Sequence, residues 1–201
     1  YLDCYLFDYL TSLNILLLGE NFIRKIETGC FNKLNKLTNL NLNKMVFKEV
    51  GNRIDLFFNK IESLKVLSLR NTSLDALEYF DFSHIQELDF NENQLTVKIY
   101  NKIPFSLIRK LFISNIRLNK KLKFLNSNFN QWLTEYDLSK NLIDFDSFYY
   151  LNASINLVYI NLASTNLTNL VFDKILIFDF FPNLAIINLS YNSIQWIHQN
   201  K

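Results

Sequence analysis

The sequence predicts an α/β-type solenoid, in which short parallel strands stack into a concave β-sheet and an irregular or short-helical segment returns along the convex side. Three observations support this. An apolar pattern recurs eight times, at steps of roughly 24 residues. Each copy alternates apolar and outward-facing positions, as a strand with one buried face does. The 201 residues include only 3 Gly and 2 Pro, so we expect Asn to make many of the turns.

The repeat is most complete near the start of the chain, where Leu13, Leu16, Leu18 and Asn21 define it. Leu16 and Leu18 are predicted to enter the core while Leu17 faces outward, because successive side chains of a strand point to opposite faces. The position of Leu16 is occupied in the later copies by Leu40, Leu67, Leu88, Leu111, Tyr136, Ile160 and Ile187.

The position three residues after the second apolar strand residue is Asn21 in the first copy. Its side chain is expected to turn inward and to hydrogen bond main-chain groups of its own and neighbouring coils. Thr72 and Thr165 can do part of this, whereas Met45 and Ile116 cannot, so we expect weaker bonding at those two coils. The predicted structural ladder consists of Asn21, Asn93, Asn141 and Asn192.

In the first copy the pattern continues to Phe31 and Leu34. With these residues the copy resembles the longer, Phe-bearing repeat that is typical of animal extracellular leucine-rich-repeat proteins. The chain resembles part of a Toll or Toll-like receptor ectodomain along essentially its whole length. This resemblance implies a recognition module in signal transduction or innate immunity, at the cell surface or outside the cell. Its partner would be a protein ligand or a second receptor chain. A secreted or matrix protein and a cytoplasmic scaffold are the alternatives.

We interpret residues 1–201 as one array of about eight repeats. Residues 1–12 are predicted to be the tail of a preceding repeat and residues 184–201 a truncated last repeat, so we expect a fragment of a longer protein. The longest apolar stretch, around residues 170–181, carries Asp173, Lys174 and Asp179 and is too short to span a bilayer. Membrane attachment is therefore expected only through segments outside this chain.

Nothing in the sequence indicates catalysis, and no metal or cofactor is expected. His84 and His198 lie far apart, and neither has the spacing of a catalytic or metal-binding motif. The formal net charge of +2 gives no electrostatic reason to expect nucleic acid. A binding function is thus favoured over an enzymatic one.

Cys4 and Cys30 fall on the return segments of successive coils. They form a disulfide if their Cα atoms come within about 7 Å, and are free thiols otherwise; the sequence leaves both open. Four triplets fit the N-glycosylation pattern, although roughly three are expected from the composition alone. The possible acceptors are Asn71, Asn152, Asn166 and Asn188.

The concave face of the sheet is the candidate binding surface, because a stack of parallel strands presents outward side chains as a rigid array. Two acidic strands flank one that carries Lys110 and Phe112, and Phe112 is a candidate anchor. The alternative is a solvated face, with binding at lateral or convex surfaces. The candidate residues are Arg70, Glu87, Asp89, Lys110, Phe112, Glu135, Asp137 and Tyr159.

Overall fold

The computed structural model describes residues 2–23, 26–27, 29–45, 61–72, 80–117, 131–143, 154–168 and 181–195. It divides into two compact units, Tyr1–Pro104 and Phe105–Lys201. Each unit contains four strands of three residues, which pair in chain order as a parallel sheet. The predicted solenoid, with one strand to each repeat, is confirmed.

In the first unit every strand pairs in direct register with the next, middle residue opposite middle residue. The strands are β1 (Ile15–Leu17), β2 (Asn39–Asn41), β3 (Val66–Ser68) and β4 (Glu87–Asp89). A one-turn 3₁₀ helix, Cys4–Phe7, precedes β1, and a one-turn α-helix, α1 (Val97–Tyr100), follows β4. The described segments outside the strands are thus irregular or briefly helical.

The second unit repeats the arrangement, again with direct parallel register. Its strands are β5 (Lys110–Phe112), β6 (Glu135–Asp137), β7 (Tyr159–Asn161) and β8 (Ile186–Asn188). Tyr136 takes the place that Leu or Ile holds in the other strands, and it is 0% exposed.

The apolar alternation places one side chain of each strand in the core. In all strands except β1 and β8 the middle residue is at most 1% exposed. The apolar residue two positions later, such as Leu69 after β3, is buried as well. In β1 the middle residue, Leu16, is only half-buried, and so is Ile187 in β8. Each of these strands has a paired neighbour on one side only within the described part of the chain.

A left-handed backbone residue ends the turn after every strand. Its φ lies between 51° and 63° in all eight coils, a region that costs most L-residues energy. The expectation that Asn makes these turns was largely wrong, because only two of the eight are Asn. They are Glu20, Lys44, Asn71, Glu92, Asn115, Lys140, Ser164 and Tyr191.

Stacking explains why residues other than Gly and Asn are tolerated in these turns. The backbone N–H of Lys44 donates to the carbonyl of Arg70 in the next coil at 2.8 Å, and that of Lys140 donates to Ala163 at 2.9 Å. Glu20, Asn71, Asn115 and Ser164 make the same bond to the next coil. An inter-coil hydrogen bond therefore holds the conformation that the residue type alone would disfavour.

Cys4 and Cys30 are joined by a disulfide, with their Cα atoms 4.6 Å apart, which decides between the two alternatives. Nearby, the rings of Phe7 and Phe31 meet edge to face with centroids 5.4 Å apart. Lys33 forms an ion pair with Asp8. These contacts join residues 4–8 to the return segment of the first coil.

Candidate functional site

The open face of each sheet consists of the first and third side chains of its strands, which point away from the buried middle residues. In the first unit these are Ile15, Leu17, Asn39, Asn41, Val66, Ser68, Glu87 and Asp89. In the second unit they are Lys110, Phe112, Glu135, Asp137, Tyr159, Asn161, Ile186 and Asn188. The residues from β2 to β7 are half-buried.

Polar side chains bond to one another across the open face of the first unit. The hydroxyl of Ser68 donates to Oδ1 of Asn43 at 2.8 Å, and the same oxygen accepts the backbone N–H of Arg70 at 2.7 Å. Ser68 also lies 3.3 Å from Oδ2 of Asp89. Arg70 forms an ion pair with Glu92. Most of the polar groups here therefore already have partners within the protein.

The last residue of a strand often has a structural role that the sequence analysis missed. Its side-chain oxygen accepts the backbone N–H two residues on, as Asp89 does from Asn91 at 3.0 Å and Asp137 does from Ser139 at 2.9 Å. Such a local side-chain bond stabilises the turn that follows. The residues that make it are Asn41, Asp89, Asp137, Asn161 and Asn188. The recurrence of Asp or Asn at this position was the signal available in the sequence.

In the second unit, charged and aromatic side chains lie side by side. Nζ of Lys110 is 3.2 Å from Oε1 of Glu135 on the next strand. Phe112 is half-buried and stands opposite Asp137 in the register. Tyr159 is opposite Glu135 on the other side.

A depression of about 420 Å³ opens over β6, β7 and β8, and we call it the β6–β8 depression. It is lined by Thr134, Glu135, Val158, Tyr159 and Ile186. Val158 is 40% exposed and Ile186 is 56% exposed. Burial raises the pKa of Tyr159 above its usual value, and the carboxylates of Asp137 and Glu135 raise it further. Sequence reasoning had named Glu135 and Tyr159, but it overlooked the two aliphatic residues beside them.

The ladder residues Asn93 and Asn141 each join two coils. Nδ2 of Asn93 donates to its own coil at Phe90 (3.0 Å) and to the preceding coil at Leu69 (2.7 Å). Its Oδ1 accepts the backbone N–H of Thr72 at 3.0 Å. Asn141 bonds in the same way to Leu138, Ile113 and Ile116.

The remaining two ladder residues differ from each other. Asn192 donates to Leu189 and Leu162 and accepts from the backbone of Thr165, but it is only half-buried. Asn21 is exposed, and the bonds it makes to Leu18 and Gly19 stay within its own coil. The inter-coil bond therefore depends on a preceding coil being present at this position.

Three of the possible glycan acceptors lie in described segments. Asn71 and Asn166 are exposed, and both have a left-handed backbone. Asn188 is half-buried on the open face of the second unit, opposite Asn161. Asn152 lies outside the described residues, as does His198, while His84 is half-buried in a turn beside Asp81.

Compared by sequence, the chain matches no protein-family model and no curated protein. Compared by structure, it is similar to internalin C2 from Listeria monocytogenes, with a TM-score of 0.63 and 23% identity over 91% of this chain and 74% of the other. It is also similar to Toll in the Drosophila Toll–Spatzle complex, with a TM-score of 0.63 and 18% identity over 96% of this chain and 29% of the other.

The structure of the TLR13–ssRNA13 complex is a further match, with a TM-score of 0.59 and 19% identity over 96% of this chain and 34% of the other. The chain thus spans about a third, or less, of the two receptor chains. At these identities the likenesses show the fold, which is the predicted leucine-rich-repeat fold. No helix in the described part of the chain is long and apolar enough to cross a membrane.

Proposed function

We propose that this chain is a recognition module that binds a partner protein through the open face of its second unit. The observation that supports this most strongly is the exposure of Val158 and Ile186 beside the charged and aromatic groups of β5 to β7. Exposed aliphatic groups bordered by polar ones are typical of protein-binding surfaces. Because β8 carries Ile186 and Val158 adjoins β7, both beside hydrogen-bonded parallel strands, little ordering is required on binding.

A protein partner fits this face better than a nucleic acid does. Glu135 and Asp137 are carried by adjacent positions on the same face of β6, and Lys110 is already paired with Glu135. A phosphate backbone approaching this face would meet carboxylates without an excess of positive charge, whereas nucleic-acid binding relies on phosphate neutralisation. Although one of the similar structures is a complex with single-stranded RNA, the charges of this face favour a polypeptide.

We further propose that the module is extracellular, as part of a receptor in signal transduction or innate immunity. The disulfide between Cys4 and Cys30 supports an oxidising compartment, because such bonds rarely persist in the cytosol. The same bond argues against the intracellular-scaffold alternative. A secreted or matrix protein would contain it equally well, so the receptor role rests on the resemblance to Toll-type ectodomains.

Selection from a displayed library of random peptides tests the binding proposal. The disulfide-bonded protein is the target, and each selected peptide is then measured against Tyr159→Ala and against Trp132→Ala. Trp132 is 52% exposed and lies outside the strands, so it provides a matched loss of an aromatic side chain. We expect affinity to fall at least about tenfold in the first variant only, as for an interface anchor. The proposal would be contradicted if the selected peptides bound Tyr159→Ala as tightly as the unaltered protein. It would also be contradicted if the selection yielded no peptides.

A further inference from the structure

The strands β4 and β6 have nearly the same sequence but different surroundings. Both carry Glu and Asp on the open face, Glu87 with Asp89 in β4 and Glu135 with Asp137 in β6. In both, the Asp accepts the backbone N–H two residues on. Acidic residues alone therefore do not distinguish the second unit from the first.

The neighbouring strand makes the difference. On β3, Val66 and Ser68 stand opposite the acidic residues of β4, and the hydroxyl of Ser68 lies 3.3 Å from Oδ2 of Asp89. On β7, the aromatic ring of Tyr159 stands opposite Glu135, and the β6–β8 depression, which Val158 and Ile186 help to line, opens beside it. Among the described strands, only β6 has its acidic pair beside exposed aliphatic side chains, those of Val158 and Ile186.

The carboxylates of β6 retain acceptor capacity. Both hydrogen bonds made to Asp137, from the backbone and the hydroxyl of Ser139, use Oδ1. Glu135 contacts Lys110 through Oε1. Since Lys110 compensates one of the two carboxylates, this part of the face has one net negative charge. Tyr159 stands opposite Glu135 in the register; burial raises the pKa of its hydroxyl, and the nearby carboxylates of Asp137 and Glu135 raise it further.

From this arrangement we infer that the β6–β8 depression binds an extended segment of the partner in which a basic residue adjoins an aliphatic one. The cation would lie over the ring of Tyr159 and bond the outer carboxylate oxygens, which combines cation–π attraction with charge-assisted hydrogen bonds. The aliphatic side chain would cover Val158 and Ile186. A volume of about 420 Å³ is at the small end of ligand pockets, which suits a few side chains. This inference rests on the proposed function and specifies its partner.

The probe is the peptide acetyl-Gly-Leu-Arg-Leu-Gly-amide, titrated into isotope-labelled protein while the methyl resonances of Val158 and Ile186 are followed. Two control peptides replace the Arg by Glu or both Leu by Ser. We expect saturable shifts at both methyl groups with the Arg peptide, and binding at least about tenfold weaker with either control. Equal binding of the Glu peptide would overturn the inference.

The matched protein variants are Glu135→Gln with Asp137→Asn, and Glu87→Gln with Asp89→Asn. Asn keeps the oxygen that accepts the N–H of the turn, so both variants remove charge and preserve the local bond. We expect about tenfold weaker binding of the Arg peptide in the β6 variant and unchanged binding in the β4 variant. The inference would be overturned if binding of the Arg peptide weakened equally in both variants. It would also be overturned if the peptide did not bind the unaltered protein. If library-selected peptides still require Tyr159, the proposed function survives that failure.

Discussion

The first coil of the chain and the coils inside the first unit follow the same sequence pattern but are packed differently. Leu67 and Leu69, in the third coil, are 0% exposed, and Asn93, in the fourth, is 1% exposed. In the first coil, Leu16 and Leu18 are half-buried and Asn21 is exposed. The pattern therefore specifies which side chains turn inward, whereas burial depends on a stacked neighbour and the ladder bond depends on a preceding coil.

The largest effect is expected for the central leucines of the strands. Leu67→Ala should lower the free energy of unfolding by about 4 kcal/mol, because a fully buried Leu leaves a cavity. Leu16→Ala should cost about 1 to 2 kcal/mol, since the side chain already contacts solvent. Urea unfolding followed by circular dichroism measures both. Equal losses would mean that stacking does not determine the burial energy.

The ladder should show the next largest contrast. Asn93→Ala removes bonds to Leu69, Phe90 and Thr72 and leaves buried main-chain groups unpaired, at a cost of about 3 kcal/mol. Asn21→Ala breaks only exposed bonds within one coil and should cost less than about 1 kcal/mol. The same unfolding measurement applies. A cost for Asn21 close to that for Asn93 would refute the proposed role of the preceding coil.

A smaller, stabilising effect is expected where Thr occupies the ladder position. The hydroxyl of Thr72 donates to the carbonyl of Leu69 in its own coil, 2.7 Å away, while the backbone N–H of Met45 in the preceding coil donates to the carbonyl of Leu42 over 3.4 Å. In the variant Thr72→Asn, the new side chain is of similar size. Its amide can reach the carbonyl of Leu42 and the backbone N–H of Met45. We expect a gain of about 0.5 to 1 kcal/mol, the net worth of a hydrogen bond or less. A loss of stability would show that the neighbouring Met45 leaves no room for the amide.

Much of the fold could be predicted from the sequence, because the alternation around Leu40 or Leu111 determines which face of the strand is buried. The turns could not, since Glu20, Lys44 and Tyr191 adopt a backbone conformation that their residue types disfavour. In the first two, the backbone N–H donates to a carbonyl of the next coil and so stabilises that conformation, and such bonds appear only once the coils are stacked.

The candidate site was only partly predictable for a related reason. Glu135 and Tyr159 stand out in the sequence as outward residues of their strands. Ile186, however, occupies the first strand position, which is Ile15 or Val66 in some coils and polar or charged in others, and Val158 precedes its strand. The register that brings them together follows the repeat alignment, with Tyr136 opposite Ile160 and Ile160 opposite Ile187, but their exposure depends on packing that the repeat pattern does not specify.

Native-state hydrogen exchange tests most directly whether the ladder residues tie each coil to the one before it. Met45 and Thr72 occupy the same position in successive coils and are both buried, but only the N–H of Thr72 bonds to an Asn of the next coil. We predict that the Thr72 amide exchanges more slowly than the Met45 amide, and that Asn93→Ala abolishes the difference. Equal exchange in the unaltered protein, or a difference that persists in Asn93→Ala, would contradict the claim.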